Sequence, residues 1–586
     1  MPSPEQIMKN LKGINFFGTD GIRGKVSTQE TSPLASLDLF LSETLITPTL
    51  IDLAVRAFVR MVGGNASSTF ATGSDGRDSV TGNALVDAMN NAFASCGANV
   101  DYLGIVPTPI VPLHQLEHGC LGAAMLTASH NPSNQNGIKF FIDGKKLLPE
   151  DKMGDYALSA LMVELAQSEG RPSCKAGEIR QIDCTQRVAS LMDSCVDAKR
   201  MKDIHFIIDT AAGAWTRYAD AFFSRNGIPF TRVSADEKGY NINNHCGVAE
   251  IEGHESYTRE QAEFAPVIVK TLFENPDSYG IVTDGDGDRG MLLKYDETAD
   301  CVKVYDGDEE SFLVLSLLKA EGKVPEGSCV VHTLESDIMA SVSFAREFGC
   351  RAVITDVGDK WICNCPEENI VIGFESSGHV IIPLEAAGKP YLSGNGLLTA
   401  ALAALAFKEG HHSFTRGFSK TWYTYFVDKS LFARNTELWK EDSKLIDSLI
   451  SKALAEKTDY SYEVRHFMDK NVLAFQVLKD RMTVALLISR NSGTEDKNAV
   501  YLKSIDDLVP SLRPIAQALA DNHRAKMRNP RRKEAAVAAS VMKAIEGAGM
   551  FELTEEQAKD PMMISVLHAL EREGQVKGNG KTFVRA

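Results

Sequence analysis

The sequence lacks the features that mark membrane-spanning, secreted and general nucleic-acid-binding proteins. No apolar run approaches the ~18 uncharged residues that a membrane-spanning helix needs, and residues 1–13 have no apolar core of the signal-peptide kind. Aspartate and glutamate outnumber lysine and arginine by 78 to 62, and the resulting net charge of −16 disfavours a general affinity for nucleic acid. We therefore expect a cytoplasmic protein in which any site for an anionic substrate is locally basic.

Motifs for structural zinc and for disulfide frameworks are also missing. The eleven cysteines include no C-x-x-C pair, and the nearest two, Cys363 and Cys365, have no second pair to complete a zinc site. We expect reduced and mostly buried thiols.

What is present is an ordinary globular composition arranged in α/β units. The 586 residues are 44% apolar and 24% charged, and this length predicts about four domains. Helical periodicity alternates with short apolar runs up to residue 424, and a smaller α+β pattern follows. The predicted fold class is α/β, with three similar mixed- or parallel-sheet domains and a smaller α+β domain around a central cleft, plus a small helical C-terminal extension. The predicted boundaries are 1–176, 177–302 and 303–424 for the α/β domains, 425–510 for the α+β domain, and 511–586 for the extension.

A serine-containing loop follows the apolar run 121–126. Residues 127–139 read Thr-Ala-Ser-His-Asn-Pro-Ser-Asn-Gln-Asn-Gly-Ile-Lys, and α/β sheets bind ligands in loops at the carboxyl ends of their strands. A serine hydroxyl is a weak nucleophile unless a base, a metal or a cation activates it. Because His130 and Lys139 lie so close in sequence, we interpret Ser129 as the nucleophile and His130 as a further catalytic candidate. The alternative is a serine that caps the next helix.

Three aspartates alternate with glycines directly after the apolar run 279–283. Asp284, Asp286 and Asp288 would repel one another this closely unless a cation lay between them. A calcium EF-hand is excluded, because the sixth loop position is Arg289 rather than glycine and the twelfth is tyrosine rather than glutamate. Three hard oxygen ligands favour Mg²⁺. The alternative is a solvated acidic turn.

Two more loops carry groups that suit a phosphorylated sugar. Around Arg23, glycines at 18, 21 and 24 would let backbone N–H groups approach an anion. Glu375, Ser377 and His379 alternate with small residues, so an extended loop would direct all three to the same side. A carboxylate and a hydroxyl suit sugar hydroxyls, and a histidine can carry a proton. The alternatives are a plain turn around Arg23 and a structural role for His379.

A fifth loop ends the last long apolar strand of the α+β domain. It reads Arg490-Asn-Ser-Gly-Thr-Glu495. The side chains of Arg490, Ser492 and Thr494 and the backbone N–H of Gly493 are able to hold a phosphate. An ordinary loop of small residues is the alternative.

Four of these loops together resemble the motifs of the α-D-phosphohexomutase superfamily. The matching segments are Thr127-Ala-Ser-His-Asn-Pro132, Asp284-Gly-Asp-Gly-Asp-Arg289, Glu375-Ser-Ser-Gly-His379 and Arg490-Asn-Ser-Gly-Thr-Glu495. The resemblance covers about residues 13–505, and finer features are most similar to the bacterial phosphoglucosamine mutases. These features are Phe17-Gly-Thr-Asp-Gly-Ile-Arg-Gly24, Asn136-Gly-Ile-Lys-Phe-Phe141, Asn241-Ile-Asn243 with Gly247, and Val357-Gly-Asp359.

The resemblance implies a role for each loop. Ser129 would be phosphorylated, and its phosphate would complete the Mg²⁺ site of the three aspartates. The residues that would surround the transferring phosphate and supply proton transfer are Arg23, Lys139, Arg289 and His379. The sugar-binding residues would be Gly358, Asp359, Glu375 and Ser377. The residues that would hold the phosphate that does not react are Arg490, Ser492, Gly493 and Thr494.

The implied reaction interconverts a hexose 6-phosphate and a hexose 1-phosphate through a phosphoserine and a hexose 1,6-bisphosphate. Glucosamine phosphate is the first expectation for the substrate, and mannose and glucose phosphates are the alternatives. A serine-dependent sugar phosphatase and a sugar-phosphate sensor are the rival functions. We expect a sugar-phosphate ligand and no membrane partner, and both a monomer and a homodimer stay open.

Two features depart from the family pattern. The fourth motif continues as Glu495-Asp-Lys-Asn-Ala499, where the family has a proline and a hydrophobic residue followed by arginine.

The extension after residue 510 adds a basic cluster that consists of Arg524, Lys526, Arg528, Arg531, Arg532 and Lys533. Its later helices and a glycine-rich hairpin at 574–584 faintly resemble a winged helix. We favour a packing or dimer-contact module over nucleic-acid binding.

Overall fold

A computed structural model of the chain divides into two compact units. It describes residues 11, 13–168, 175–234, 241–492 and 495–586. The first unit comprises Met1–Ser336 and Phe348–Ser413, and the second comprises Asp337–Glu347 and Phe414–Ala586. The five-domain division stays a prediction.

The first sheet is built mostly from parallel strands. Its strands are β1 (Ile22–Val26), β2 (Leu45–Ile46), β3 (Thr69–Ser74), β4 (Asn99–Ile105), β5 (Gly122–Leu126), β6 (Gln135–Ile142), β7 (Lys145–Lys146) and β8 (Ile179–Gln181). The order is β2-β1-β6-β5-β3-β4-β8, with β7 beside β6. Strands β5, β3, β4 and β8 run parallel, whereas β6 is antiparallel to β1 and β5. A tight turn at Asp143-Gly144, a dipeptide typical of hairpins, joins β6 and β7, with φ of 50° and 75°.

The helices of this part follow from their apolar periodicity and caps. They are α1 (Pro33–Glu43), α2 (Pro48–Met61), α3 (Ala84–Ser95), α4 (Ile110–His118) and α5 (Asp155–Gln167). Helix α2 begins at a proline, and the Thr47 hydroxyl accepts a hydrogen bond from the Leu50 N–H. Its buried Phe58 stacks on Phe140 at 4.5 Å between ring centroids and meets Phe70 edge-on. This aromatic cluster holds the helix against the sheet.

The second sheet is mixed. Its strands are β9 (Phe206–Asp209), β10 (Phe230–Val233), β11 (Ser256–Thr258), β12 (Tyr279–Thr283), β13 (Gly290–Asp296) and β14 (Cys301–Tyr305), in the order β10-β9-β12-β13-β14-β11. The helices beside it are α6 (Thr185–Cys195), α7 (Thr216–Asn226), α8 (Val248–Ile251), α9 (Val267–Glu274) and α10 (Gly307–Ala320). Strands β12 and β13 pair antiparallel, because the aspartate loop between them is too short for a parallel crossover.

The third sheet repeats the parallel arrangement. It contains β15 (Cys329–Thr333), β16 (Arg351–Thr355), β17 (Ile370–Glu375) and β18 (His379–Ile381) in the order β16-β15-β17-β18, and β19 (Leu384–Ala386) pairs with β20 (Lys389–Tyr391). The helices of this stretch of the chain are α11 (Ile338–Phe348), which lies almost wholly in the second unit, and α12 (Asp359–Cys363) and α13 (Gly396–Lys408) of the first unit. Only β18 runs antiparallel, so the motif Glu375–His379 forms the turn between β17 and β18.

The second unit contains an antiparallel sheet with two long helices. Its strands are β21 (Phe418–Tyr425), β22 (Tyr460–Arg465), β23 (Val472–Lys479), β24 (Met482–Asn491) and β25 (Lys497–Ser504), in the order β21-β25-β24-β23-β22. Helices α14 (Glu437–Leu454) and α15 (Val509–Met527) share an apolar core with it. The α/β class with a smaller α+β part, predicted from the sequence, is confirmed.

The rest of the extension forms two helices and a small sheet. They are α16 (Lys533–Ala548), α17 (Pro561–Arg572), β26 (Phe551–Glu552), β27 (Val576–Gly578) and β28 (Thr582–Arg585), with the strand order β26-β28-β27. The predicted hairpin is therefore confirmed. The apolar core of this part includes Tyr425 and Phe426 from the end of β21, so the extension packs against the α+β sheet.

Among the residues that the structure describes, no helix is long and apolar enough to cross a membrane. Every cysteine described is a free thiol, and most are buried, which agrees with the prediction.

Candidate active site

Ser129 lies where the first two sheets bring their strand-end loops together. It follows β5, it is only 1% exposed, and its backbone is in the left-handed region with φ of 52°. Its Oγ donates a hydrogen bond to Oδ2 of Asp284 at 2.6 Å. The predicted nucleophile therefore touches the first residue of the aspartate loop that follows β12.

A buried guanidinium holds the backbone of the serine loop. Arg77 follows β3 and is 1% exposed. It donates to the carbonyl oxygen of Ser129 at 2.5 Å and to those of Asn131 and Gln135, both at 3.1 Å. Its Nε pairs with Asp75 at 2.7 Å. These four interactions compensate the burial of the arginine and fix the left-handed turn at the serine.

An amide from the second sheet joins this clamp. Asn243 donates from Nδ2 to the carbonyl oxygen of Ser129 at 2.7 Å and to that of Asn131 at 2.9 Å. Thr127 supports the same turn, since its Oγ1 accepts from the Ser129 N–H at 2.8 Å and donates to Asp75 at 2.6 Å. Ser129 is therefore oriented by residues from two sheets.

The three aspartates form a buried cluster that fits a cation. One oxygen from each of Asp284, Asp286 and Asp288 lies within 4.8 Å of the other two. Burial, and then the charges of Asp286 and Asp288, raise the pKa of Asp284 to about 8. Oδ1 of Asp286 is buried, with no hydrogen-bond partner in the described part of the chain. A hard divalent cation would satisfy that oxygen and offset the repulsion.

Two buried lysines neutralise the same carboxylates. Nζ of Lys139 lies 2.7 Å from Asp286, 3.0 Å from Asp288 and 2.9 Å from Asp20. Burial alone would lower the pKa of Lys139, but these three carboxylates outweigh burial and hold the pKa above its usual value. Nζ of Lys146 lies 2.7 Å from Asp359 and 3.4 Å from Asp288. Lys146 thus links the metal loop to the predicted sugar-binding loop.

The predicted sugar-binding residues form one hydrogen-bonded group. Oε1 of Glu375 accepts from the Gly358 N–H at 3.0 Å, and its Oε2 accepts from the Ser377 hydroxyl at 2.9 Å. His379 places Nδ1 3.2 Å from Glu375 and Nε2 3.2 Å from Asp288. Burial would lower the pKa of His379, but Asp359 and then Asp288 outweigh it and raise the pKa to about 10.

The remaining candidates of the first unit lie around the same point. Arg23 donates to Asp20 at 2.8 Å and to the carbonyl oxygen of Ala128 at 3.4 Å. Arg289 is buried beside Glu252, at 3.6 Å, and its backbone bridges to that of His379. The charge of Arg289 and then burial lower the pKa of His130 to about 2, so this ring is neutral.

The fourth motif belongs to the second unit. Nε of Arg490 lies 3.9 Å from Asp469, and the Ser492 hydroxyl accepts from the Glu495 N–H at 3.1 Å. Gly493 and Thr494 lie outside the described residues. The phosphate-binding role of these four residues stays a prediction.

Sequence reasoning missed the residues that support the reacting groups. They are Asp20, Arg77, Thr108, Lys146 and Asn243. Thr108, for example, donates to Asp286 at 2.6 Å. A signal existed for Arg77, which follows β3 in an Asp75-Gly-Arg77 loop parallel to the serine loop. Asp20 and Asn243 lie in segments that carry the family resemblance, although no role was assigned to them there. Thr108 and Lys146 lie in segments whose sequence does not indicate their partners.

Two family models match the chain. They are described as "Phosphoglucomutase/phosphomannomutase, alpha/beta/alpha domain I", over residues 15–154, and the corresponding "domain III", over residues 306–425. Phosphoglucosamine mutase of Pseudomonas fluorescens strain SBW25 is 31% identical over 371 residues, which are 62% of this chain and 73% of that protein. The enzyme of P. fluorescens strain Pf-5 is 30% identical over 398 residues, which are 67% of this chain and 78% of that protein.

Solved structures agree on the fold. A phosphoglucomutase/phosphomannomutase family protein from Burkholderia thailandensis matches with a TM-score of 0.60 and 20% identity, over 89% of this chain and 98% of that one. A putative phosphomannomutase from Thermus thermophilus matches with a TM-score of 0.55 and 19% identity, over 86% of this chain and 99% of that one.

With these similarities, and with three of the motifs brought together in the first unit, the chain belongs to the α-D-phosphohexomutase superfamily, close to the phosphoglucosamine mutases. Its activity is that of a phosphohexomutase, an isomerase that works by intramolecular phosphoryl transfer. Membership implies a metal-dependent reaction, and the donor set of the aspartate cluster fits that requirement.

The guanidinium clamp gives a first prediction. We expect Arg77→Lys to lower kcat/KM roughly 100-fold, because an ammonium cannot replace the fork-shaped contacts and a small displacement of a reacting group is costly. Steady-state kinetics on the mutase reaction would measure it. Arg60→Lys is the matched control, since Arg60 is exposed on α2 and pairs with Glu164 alone among the described residues. Equal kcat/KM in the two variants would contradict the positioning role.

Proposed function

We propose that this phosphohexomutase interconverts glucosamine 6-phosphate and glucosamine 1-phosphate through a phosphoserine at Ser129 and a 1,6-bisphosphate intermediate. The observation that carries the proposal is the contact of the Ser129 hydroxyl with Asp284, beside the buried Lys139. The choice of glucosamine is supported by the curated relatives at 30–31% identity, which are phosphoglucosamine mutases.

Asp284, Asp286 and Asp288 would hold Mg²⁺, with the phosphate on Ser129 as a further ligand. When bound, the ion supplies charge stabilisation to the phosphoryl oxygens. The donor set is all carboxylate, which suits this ion better than zinc or copper. The bound ion would also give a partner to Oδ1 of Asp286, which has no hydrogen-bond partner among the described residues.

The chain's own residues would position and neutralise the moving phosphoryl group. In the forward step, the P–O bond to Oγ of Ser129 breaks and a P–O bond to the free hydroxyl of the hexose monophosphate forms. The proton that this hydroxyl loses is balanced by the proton that Oγ of Ser129 gains. Arg23, Lys139 and Arg289 would face the phosphoryl oxygens, where preorganised cations have the largest effect on the rate. His379, held between Glu375 and Asp288, would serve proton transfer.

Glu375 and its neighbours would grip the sugar. The Gly358 N–H and the Ser377 hydroxyl already fix the two carboxylate oxygens, so little ordering entropy is lost when sugar hydroxyls donate to the same carboxylate. Asp359, adjacent to Gly358, would take part through its contact with Lys146.

Arg490 and Ser492, with Gly493 and Thr494, would hold the phosphate that does not react. The bisphosphate must bring each of its two phosphates to Ser129 in turn. The fourth-motif residues therefore have to bind the other phosphate whether it is on C1 or on C6. In the return step the bisphosphate gives its other phosphoryl group to Ser129, so net isomerisation leaves the serine phosphorylated.

The nucleophile is tested by removing its hydroxyl. We expect Ser129→Ala to take up no label from hexose 1,6-bisphosphate labelled in the phosphoryl groups and to show no turnover, because no other atom accepts the group. Ser133→Ala, in the same loop, is the control and should label and turn over normally. Normal labelling of the Ser129 variant would reject the assignment.

Metal binding is tested at the orphaned oxygen. We expect Asp286→Asn to weaken Mg²⁺ binding at least tenfold, because it removes one of three anionic ligands. Titration calorimetry reads binding directly, and activity as a function of Mg²⁺ provides a second measurement. Asp277→Asn, on an exposed turn, serves as the comparison. Unchanged affinity in Asp286→Asn would place the ion elsewhere.

Substrate choice is tested by competition among sugars. With the matching bisphosphate as primer, we expect kcat/KM for glucosamine 6-phosphate to exceed that for glucose and mannose 6-phosphates by about tenfold or more. A preference for either neutral hexose would leave the mutase reaction intact and overturn the glucosamine assignment. Stoichiometric release of inorganic phosphate would instead indicate a phosphatase.

A further inference from the structure

The ends of the fourth-motif loop are tied together by two buried amides. Asn491 at the end of β24 faces Asn498 in β25 across the ladder, and the Asn498 amide donates to Oδ1 of Asn491 at 3.0 Å. Asn491 in turn donates to the carbonyl oxygens of Phe432 at 2.7 Å and Lys429 at 3.0 Å. Asn498 is 1% exposed. The two ends of the loop are therefore held by a network of hydrogen bonds between buried groups.

This network continues into α15, beyond residue 510. Nδ1 of His523 lies 2.7 Å from Oδ1 of Asn498, and its Nε2 lies 2.5 Å from Oδ2 of Asp442 on α14. The side chains of His523 and Asp442 are both fully buried. Asn522 donates to the other oxygen of Asp442 at 3.0 Å. Fully satisfied buried networks rigidify the elements they join, and here they join two helices to the loop.

A second contact reaches the loop from its outer side. Arg532 forms an ion pair with Asp496. The guanidinium is steadied by Glu534, 3.4 Å from its Nε, and by the ring of Phe426 at 6.0 Å. Asp496 directly follows the matched motif. The loop is thus held at its base through His523 and at its edge through Arg532.

Most of the basic cluster is used inside the unit. The carboxylate of Glu573 has a fully buried side chain and accepts from Arg528 at 2.5 Å and from the Tyr425 N–H at 2.7 Å. Arg524 pairs with Asp521 and approaches Glu573, and Lys526 pairs with Glu441. The contacts of Arg528 and Arg524 with Glu573 dock the extension on β21.

Both contacts fall on residues that directly follow the fourth motif. Asp496 is the partner of Arg532, and Asn498 is the partner of His523. The chain after residue 510 therefore holds the strand that leaves the motif at two points.

We propose that the segment after residue 510 is a brace for the phosphate-binding loop, with His523 and Arg532 as positioning residues for the non-reacting phosphate. The inference rests on the proposed function, because it requires that Arg490 and its loop bind that phosphate. The brace keeps the loop in its binding geometry before substrate arrives, so less ordering entropy is lost on binding.

Kinetics of paired variants test the brace. We expect His523→Gln to raise KM for the hexose 6-phosphate about tenfold, because a buried hydrogen bond is lost, and Arg532→Gln to raise it about threefold, because the ion pair is half-exposed. In both variants kcat and the labelling of Ser129 stay near normal. The reason is that the loop binds the non-reacting phosphate equally well in the ground state and in the transition state. The controls are His568→Gln and Arg531→Gln, two exposed positions nearby.

A double-mutant cycle separates positioning from stability. Arg490→Gln should raise KM by itself, and His523→Gln should add little in that background, because the grip it supports is already gone. If Arg490→Gln raises KM but neither His523→Gln nor Arg532→Gln does, the brace proposal is overturned. The same holds if the effects of Arg490→Gln and His523→Gln on the free energy of substrate binding are fully additive in the double variant. If Arg490→Gln leaves KM unchanged, the phosphate assignment of the proposed function fails instead. Arg532 lies on the surface, so its variant still decides if His523→Gln does not fold.

Discussion

The active site depends on one electrostatic constraint, which is that its buried carboxylates must be matched by buried cations. Asp284, Asp286 and Asp288 are withdrawn from water, and an unpaired buried charge costs several kcal/mol. Lys139 and Lys146 supply the matching charge from the first sheet, and Lys146 extends it to Asp359 on the third. Neither the buried carboxylates nor the buried lysines would be stable without the other set. The loops of three sheets therefore have to meet at one point.

Close backbone packing makes that meeting possible. A side chain at Gly287 would place its Cβ 2.2 Å from the ring of Trp215, and one at Gly396 would lie 1.9 Å from the carbonyl oxygen of Arg289. Gly287, between two of the aspartates, and Gly396, at the start of α13, therefore let neighbouring segments come into contact with the aspartate loop. Close contacts to the backbone also hold Ser129, whose left-handed conformation is fixed by hydrogen bonds from Arg77 and Asn243. The predicted nucleophile is oriented through its carbonyl group, and its hydroxyl contacts Asp284.

The second unit orders its loop by a different means. Its supports are a ladder of buried neutral amides that ends at His523 and Asp442, and an ion pair at the rim. In the proposed brace, these supports would order the loop before a phosphate binds. The extension would then contribute to phosphate binding without supplying a catalytic group.

Much of this molecule follows from local sequence, because strand and helix periodicity, the Asp143-Gly144 turn and the four motif loops depend on neighbours along the chain. The α/β class was predicted from those signals and is confirmed, and the candidate site residues were named from the motif loops. The supports were not, since Arg77 meets Ser129 across 52 residues and Lys146 meets Asp359 across 213. A lysine in a hairpin or a histidine in a helix looks the same whether it is solvated or paired in a core. The sequence by itself determined which chemistry the loops carry, and only the tertiary structure decided which distant charges and amides hold them, because burial and pairing are properties of the folded arrangement.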